Sequence, residues 1–268
     1  MDADLDLLLT SVYVTADDVL PEASKNVMRR VTHAEVVTLA VAQAIMGIPS
    51  DRRFLKVAAK RLGDLFPILP QQSGYLKRRR RLAESFEWLM GVFASQSPGF
   101  EDDLLLVDST PVECARSRET VKRSQLGDAA DYGYCASHSR YFWGFRLDGL
   151  FAPDGTPIAL QITSPKGGER DIALGLLAGA GRDRTVTVIG DKGYAGRDFE
   201  AAAHDLGATI MRPRRKDEDQ AGRPHLAPIR QRVESIFWTL KDILALAACV
   251  TLNHQLGRRS RALVDYIA

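Results

Sequence analysis

The sequence predicts an α/β fold, a mixed β-sheet flanked by helices, with a separate helical region ahead of it. Three observations carry that expectation. As far as residue 95, apolar residues recur at helical spacing between short breaks. From Leu104 onward, apolar runs have the length of buried strands, and Pro153-Asp154-Gly155-Thr156 supplies turn chemistry between two of them. Beyond that turn, strand-like and helix-like segments alternate, the pattern of a sheet covered by helices.

In the helical region, Thr32 is placed to cap a helix, with Glu35 at the third position to complete a capping box and Val36, Val37, Leu39, Ala40 and Val41 following. Gly47, Ile48, Pro49 and Ser50 break the chain. A second helix is expected near Asp51, running to Leu62, and a third over residues 75–94. Short Arg-rich helices joined by Gly-containing turns suggest a helix-turn-helix-like module. Ser97, Pro98 and Gly99 mark the boundary, giving a DNA-binding region over residues 1–98 and a second domain over residues 99–268.

The second domain opens with a strand over residues 104–107 that ends in Asp108. A hairpin of residues 141–151 and 157–163 comes next. Helices are expected over 171–178 and 197–206, and strands over 185–189 and 209–211. A long helix over 227–247 and a last one over 261–267 complete the chain. The RNase H-like arrangement is one fold with this order of elements.

Composition narrows the function. With 45% hydrophobic and 26% charged residues, the chain has the make-up of a globular protein. No stretch reaches the roughly 18 consecutive apolar residues of a membrane span, and Asp2, Asp4 and Asp6 stand where a secretory signal carries cations. Cys114, Cys135 and Cys249 are widely spaced and define neither a disulfide framework nor a zinc knuckle, so a reducing cytoplasm is expected. The net charge of +2 conceals an asymmetry. Residues 1–22 hold six acids and no Lys or Arg, whereas residues 25–81 hold thirteen Lys or Arg against three acids. Lys77, Arg78, Arg79, Arg80 and Arg81 are consecutive and repel one another unless neutralised, which points to a polyanion such as nucleic acid.

Asp108 and Asp191 each follow a strand. If those strands are parallel neighbours, both carboxylates emerge at the carboxyl edge of the sheet, where α/β folds place their sites. Either aspartate alone fits an ordinary turn. Glu234 adds a third acid. At about 100° per residue, Arg230, Glu234 and Lys241 share a strip beside the apolar stripe of Val233, Ile236, Phe237 and Leu240, although Arg230 and Glu234 also suit a simple helix ion pair. Three carboxylates at one point repel unless a cation neutralises them, and oxygen ligands favour Mg²⁺ or Mn²⁺. Two such ions activate a water or hydroxyl and stabilise the leaving oxygen in phosphodiester cleavage. Arg212, Arg214, Arg215 and Lys216 form a second basic loop suited to a DNA backbone. His138 and Ser139 lack a third partner for a hydrolase triad. His33, His204, His225 and His254 are scattered, Lys166-Gly167-Gly168 reads as a turn, and Trp143 as core.

The segments Val107-Asp108-Ser109-Thr110-Pro111-Val112, Gly190-Asp191-Lys192-Gly193-Tyr194 and Arg230-x3-Glu234-x6-Lys241 resemble the three signatures of DDE transposases of bacterial insertion sequences. The closest likeness is to the IS982 family, related to the IS4 and IS5 groups, and it extends to Tyr132-Gly133-Tyr134-Cys135 and Tyr141-Phe142-Trp143-Gly144-Phe145. The resemblance implies Asp108, Asp191 and Glu234 as catalytic metal ligands for Mg²⁺ or Mn²⁺, in two ions. Lys192, Arg230 and Lys241 would contact DNA, and a homodimer or higher oligomer would assemble on element ends and target DNA, near the nucleoid. Ala227 replaces the tyrosine of the last signature, and Arg146 and Asp148 stand where lysine and histidine are usual. The expected reaction is cleavage at element ends followed by strand transfer. The alternatives are a stand-alone RNase H-like nuclease and an inactive DNA-binding remnant.

Overall fold

The computed structural model describes residues 2–21, 30–115, 117–124, 126–127, 129–135 and 139–214, together with 226, 229, 231, 236 and 237. The chain divides into two compact units, one reaching to Met90 and the other beginning at Gly91.

The first unit is helical: α1 (Asp2–Val19), α2 (His33–Ile45), α3 (Asp51–Arg61), α4 (Gln72–Arg81) and the start of α5 (Ala83–Ser95). The Thr32–Glu35 capping box forms as the sequence predicts and starts α2, which is buried along most of its length and packs against α1. Ser50 caps α3 through the amide of Arg53. The helix expected over residues 75–94 is instead two. It breaks at Leu82, whose φ of −94° and ψ of 11° are not helical. Four arginines fill the last turn of α4, where they face the negative end of its dipole and favour a terminus there.

Arg79 also departs from the sequence expectation. It is turned inward, 2% exposed, and its guanidinium meets Asp51 at 2.9 Å. Gln43 completes the arrangement. Its amide donates to Asp51 at 3.0 Å, while its carbonyl oxygen accepts from Arg79 and from the Tyr75 hydroxyl, both at 2.8 Å. The repulsion within the basic run is therefore relieved at Arg79 by an internal acid, not a polyanion. Lys77 and Arg81 stay exposed, and Arg78 and Arg80 are half-buried, with Arg78 donating to the Val31 carbonyl.

The second unit is built on a six-stranded mixed sheet: β1 (Leu104–Ala115), β2 (Asp131–Cys135), β3 (Arg140–Phe151), β4 (Pro157–Thr163), β5 (Val186–Ile189) and β6 (Ala208–Met211). The order is β2-β3-β1-β5-β6, with β4 also on β3. Strands β1, β3 and β4 are antiparallel, and β5 and β6 are added parallel to β1. That is the RNase H-like arrangement, with β2 as an extra strand. Helices α7 (Glu169–Ala180) and α8 (Arg197–Asp205) connect β4 to β5 and β5 to β6. Their apolar faces join Leu105, Val107, Leu150, Val186 and Val188 in one core cluster.

Strand β1 is longer than the sequence suggests. It does not end at Asp108 but continues to Ala115, because β3 offers an antiparallel partner all the way from Phe151 to Trp143. β2 and a short helix, α6 (Arg118–Arg123), were not anticipated. The turn at Pro153–Thr156 is as expected: Asp154 accepts from the Thr156 amide at 2.8 Å, and Gly155 takes a φ of +100° that suits glycine. Of the long helix expected over residues 227–247, the described residues 229, 231, 236 and 237 are helical, and Phe237 meets Phe151 edge-on at 5.2 Å. The helix expected over 261–267 lies outside the described residues.

Replacing Asp51 with Ala leaves the Arg79 charge buried and unpaired, a change that typically costs about 3–5 kcal/mol. Denaturant unfolding is expected to show a loss of that size. The double variant Asp51→Leu/Arg79→Met should lose less than the two single changes added together.

Candidate active site

Buried apolar side chains fix where the two aspartates come to lie. Leu105 and Leu106 are fully buried in β1, and Val188 and Ile189 in β5. They set the parallel register Leu104↔Thr187, Leu105↔Val188 and Leu106↔Ile189. Asp108 lies two residues beyond Leu106, and Asp191 two beyond Ile189. The two acids therefore occupy equivalent positions just past the last parallel pair. Equal register in a parallel pair directs side chains to the same face, so both carboxylates emerge together at the carboxyl edge. Both are partly exposed.

Local hydrogen bonds orient each acid. Asp108 accepts from the Ser109 amide at 2.8 Å. Asp191 starts a 3-10 turn over Lys192–Tyr194 and accepts from the Gly193 amide at 2.6 Å. The two glycines flanking Asp191 have steric roles. A Cβ on Gly190 would sit 2.7 Å from the Tyr194 ring and 3.2 Å from Val107, so glycine here lets the ring close over β1. A Cβ on Gly193 would meet the Asp191 carboxylate at 2.8 Å and that of Glu169 at 3.3 Å. Arg170 clamps the same turn by donating to the Gly193 carbonyl at 3.0 Å.

Tyr194 is buried beneath this edge. Burial, and then the negative charges of Asp108, Glu169, Asp148 and Asp191, push its pKa far above the ordinary phenol value. It stays protonated. Sequence reasoning missed Glu169, whose position in the first turn of α7 reads as a routine helix-start acid. Its pKa is raised, chiefly by burial, with Asp191 and Asp148 adding to the rise and Arg146 opposing it. Arg146 and Asp148, noted in the sequence only as departures from a pattern, form a buried pair at 2.9 Å. Arg146 also reaches Glu169 at 3.3 Å and the Gly167 carbonyl at 3.1 Å, while Thr163 donates to Asp148 at 2.6 Å. Burial raises the Asp148 pKa, and the Thr163 hydrogen bond and the Arg146 charge hold it back.

The remaining predicted residues distribute as follows. Lys192 is exposed beside Asp191, and Arg214 is half-buried after β6. Arg212 pairs with Glu200 at 3.1 Å. Glu234, Arg230, Lys241 and Arg215 lie outside the described residues, as do His138, His225 and His254. Trp143 is core, as expected. Lys166-Gly167-Gly168 forms a turn, closed by Gly167 donating to Ser164 at 3.0 Å.

The donor set at the edge is all oxygen, and such carboxylates fit a hard divalent cation such as Mg²⁺ or Mn²⁺. Cys114 is buried in the same sheet, and burial pushes its thiol up to about 12, so it supplies no thiolate to compete. Among the described residues, no three His, Cys, Asp or Glu side chains are grouped to hold a metal by themselves.

Replacing Gly190 with Ala is expected to force the Tyr194 ring off β1 and destabilise the second unit by about 1–3 kcal/mol. A thermal melt read alongside tyrosine fluorescence checks this; an unchanged melt would show that the ring is not held by that contact.

Residues 99–254 match the family model described as "Transposase DDE domain". No curated protein matches the chain. Among solved structures, a cryo-EM structure of a piggyBac transposase synaptic complex with hairpin DNA aligns with a TM-score of 0.43 and 9% identity, covering 97% of this chain and 75% of that one.

Proposed function

We propose, because the chain belongs to the transposase DDE-domain family, that it cuts DNA at the ends of an insertion sequence and joins the freed 3′-hydroxyl to target DNA. The observation that carries this reading is the equivalent placement of Asp108 and Asp191 past the β1–β5 parallel pairs. Glu234 is the third ligand in this proposal, supplied by the helix whose residues Ile236 and Phe237 are described. We place the chain with the insertion sequences of the IS982 family.

Both steps are in-line displacements at phosphorus, so one site serves both. When bound, Mg²⁺ or Mn²⁺, in two ions, would supply positive charge for the attacking and leaving oxygens. The protein's part is positioning. Asp108 and Asp191 are held by the Ser109 and Gly193 amides and need no reorganisation to present their carboxylates. Lys192, Arg230, Lys241, Arg214 and Arg215 are assigned to phosphates near the cut, and Lys77, Arg78, Arg80 and Arg81 to phosphates along the duplex. Arg79 is left out of that set, since its charge is engaged inside the first unit. The helical residues 1–98 would recognise the element end, and a dimer would bring two ends together.

The test is nicking of a supercoiled plasmid that carries the parent element's ends, with Mg²⁺ or with EDTA. Asp108→Asn and Asp191→Asn are each expected to lower nicking by about a hundredfold or more, with DNA binding retained. A strand-transfer assay separates a transposase from a nuclease of the same fold. Retained binding without cutting by the wild type would favour the inactive remnant. Cutting by Asp191→Asn at the wild-type rate would refute the site.

A further inference from the structure

Strand β2 and the outer half of β3 form a two-stranded ribbon with unlike faces. On one face Gly133 lies opposite Phe142. A Cβ on Gly133 would stand 2.6 Å from Pro165 and 2.7 Å from the Phe142 ring, so this face is pressed onto its surroundings more closely than any other residue allows. The second face is different. Tyr132, Tyr134 and Tyr141 project from it, 52%, 55% and 77% exposed. Tyr134 lies directly across from Tyr141, with ring centroids 5.0 Å apart, and Tyr132 lies across from Trp143.

Single exposed apolar residues need no explanation, but three aromatics contiguous on one face do. The chemistry of the face identifies its occupant. Every large exposed side chain on it is tyrosine, and the ribbon exposes no Leu, Ile, Val or Met of the kind an apolar protein interface uses. The segment that carries the ribbon is basic in sequence: residues 116–143 hold five Lys or Arg against three acids, a net charge of +2. Arg140 is 55% exposed next to Tyr141 and holds Glu113 at 3.3 Å. Open aromatic faces flanked by cations are what unpaired bases stack on, whatever their sequence.

We propose that this tyrosine face binds unpaired bases of the DNA substrate at a distance from the cutting site. The inference rests on the reaction proposed above. Asp108 pairs with Gly149, eight residues along β3 from Tyr141. At about 3.3 Å per residue the face lies roughly 26 Å from the acids, or about eight base steps of duplex. The bases it holds are therefore not those at the cut phosphate. They belong to strand that has opened farther along.

The test uses the full chain and fluorescence anisotropy with two probes, a labelled 20-nucleotide oligo-dT and a blunt duplex of equal length. Tyr132→Ala and Tyr141→Ala are each expected to weaken oligo-dT binding about tenfold, with duplex binding changed less than twofold. Tyr141→Phe keeps the ring and should bind oligo-dT like the wild type. Equal losses on both probes, or no loss on oligo-dT, overturn the inference. So does a fall in oligomeric state with oligo-dT affinity unchanged, which would make the face a contact between copies. Metal-dependent cutting together with unchanged oligo-dT affinity in the alanine variants would overturn the stacking face and leave the reaction standing. Failure of the wild type to bind either probe would overturn both.

Discussion

Three parallel residue pairs, Leu104–Leu106 against Thr187–Ile189, fix where the functional groups of the second unit come to lie. Strand β5 has only four residues, and all four pair with β6 on its other side. A slip of one residue would turn each side chain to the opposite face. It would lift Val186 and Val188 out of the core and carry Asp191 away from the face that Asp108 shares. Burial of those apolar side chains and placement of the two acids are thus one constraint. The two acids inherit their placement from hydrophobic packing.

The acids also need a local balance of charge. Burial raises the Glu169 pKa, and the negative charges of Asp191 and Asp148 add to that rise. Arg146 answers part of that repulsion from within. It divides its donors among Asp148, Glu169 and the Gly167 carbonyl. Because the guanidinium fork is planar and always charged, it ties β3 to the start of α7 as well as neutralising acid. The first unit repeats the device with different residues, as Arg79, Asp51, Gln43 and Tyr75 join α2, α3 and α4. In both units a buried arginine connects elements distant in sequence.

Much of this was legible in the sequence where the signal is local. The Thr32–Glu35 box, the Asp154–Gly155 turn and the strand leading to Asp191 depend on residues a few positions apart. The sequence failed where a distant partner decides. Asp108 lies within β1 rather than at its end because β3 lies alongside. Arg79 belongs to a run of cations that reads as a surface stripe, and only Asp51, 28 positions away, draws it inside. Glu169 joined the site unannounced, since nothing in Gly168-Glu169-Arg170 distinguishes an acid beside Asp191 from one that merely begins a helix. Strand β2 is too short, and too rich in tyrosine and glycine, to show a clear alternation.

The way β3 is shared has a consequence for how such a chain diversifies. One of its edges is covered by β1 from Trp143 to Phe151, while the other is divided between β2 and β4, each taking about half. The half that carries Gly149 opposite Asp108 is held between β4 and β1, and β1 is held in turn by β5. The outer half only has to hold the ribbon. Insertions and deletions between Ala115 and Arg140 can therefore accumulate over descent without shifting either acid, since no pairing that positions them passes through that segment. The sheet thus has one end whose geometry is locked around the two acids and one end open to evolutionary change, and lineages built on it can gain or lose surface there while the acids stay where they are.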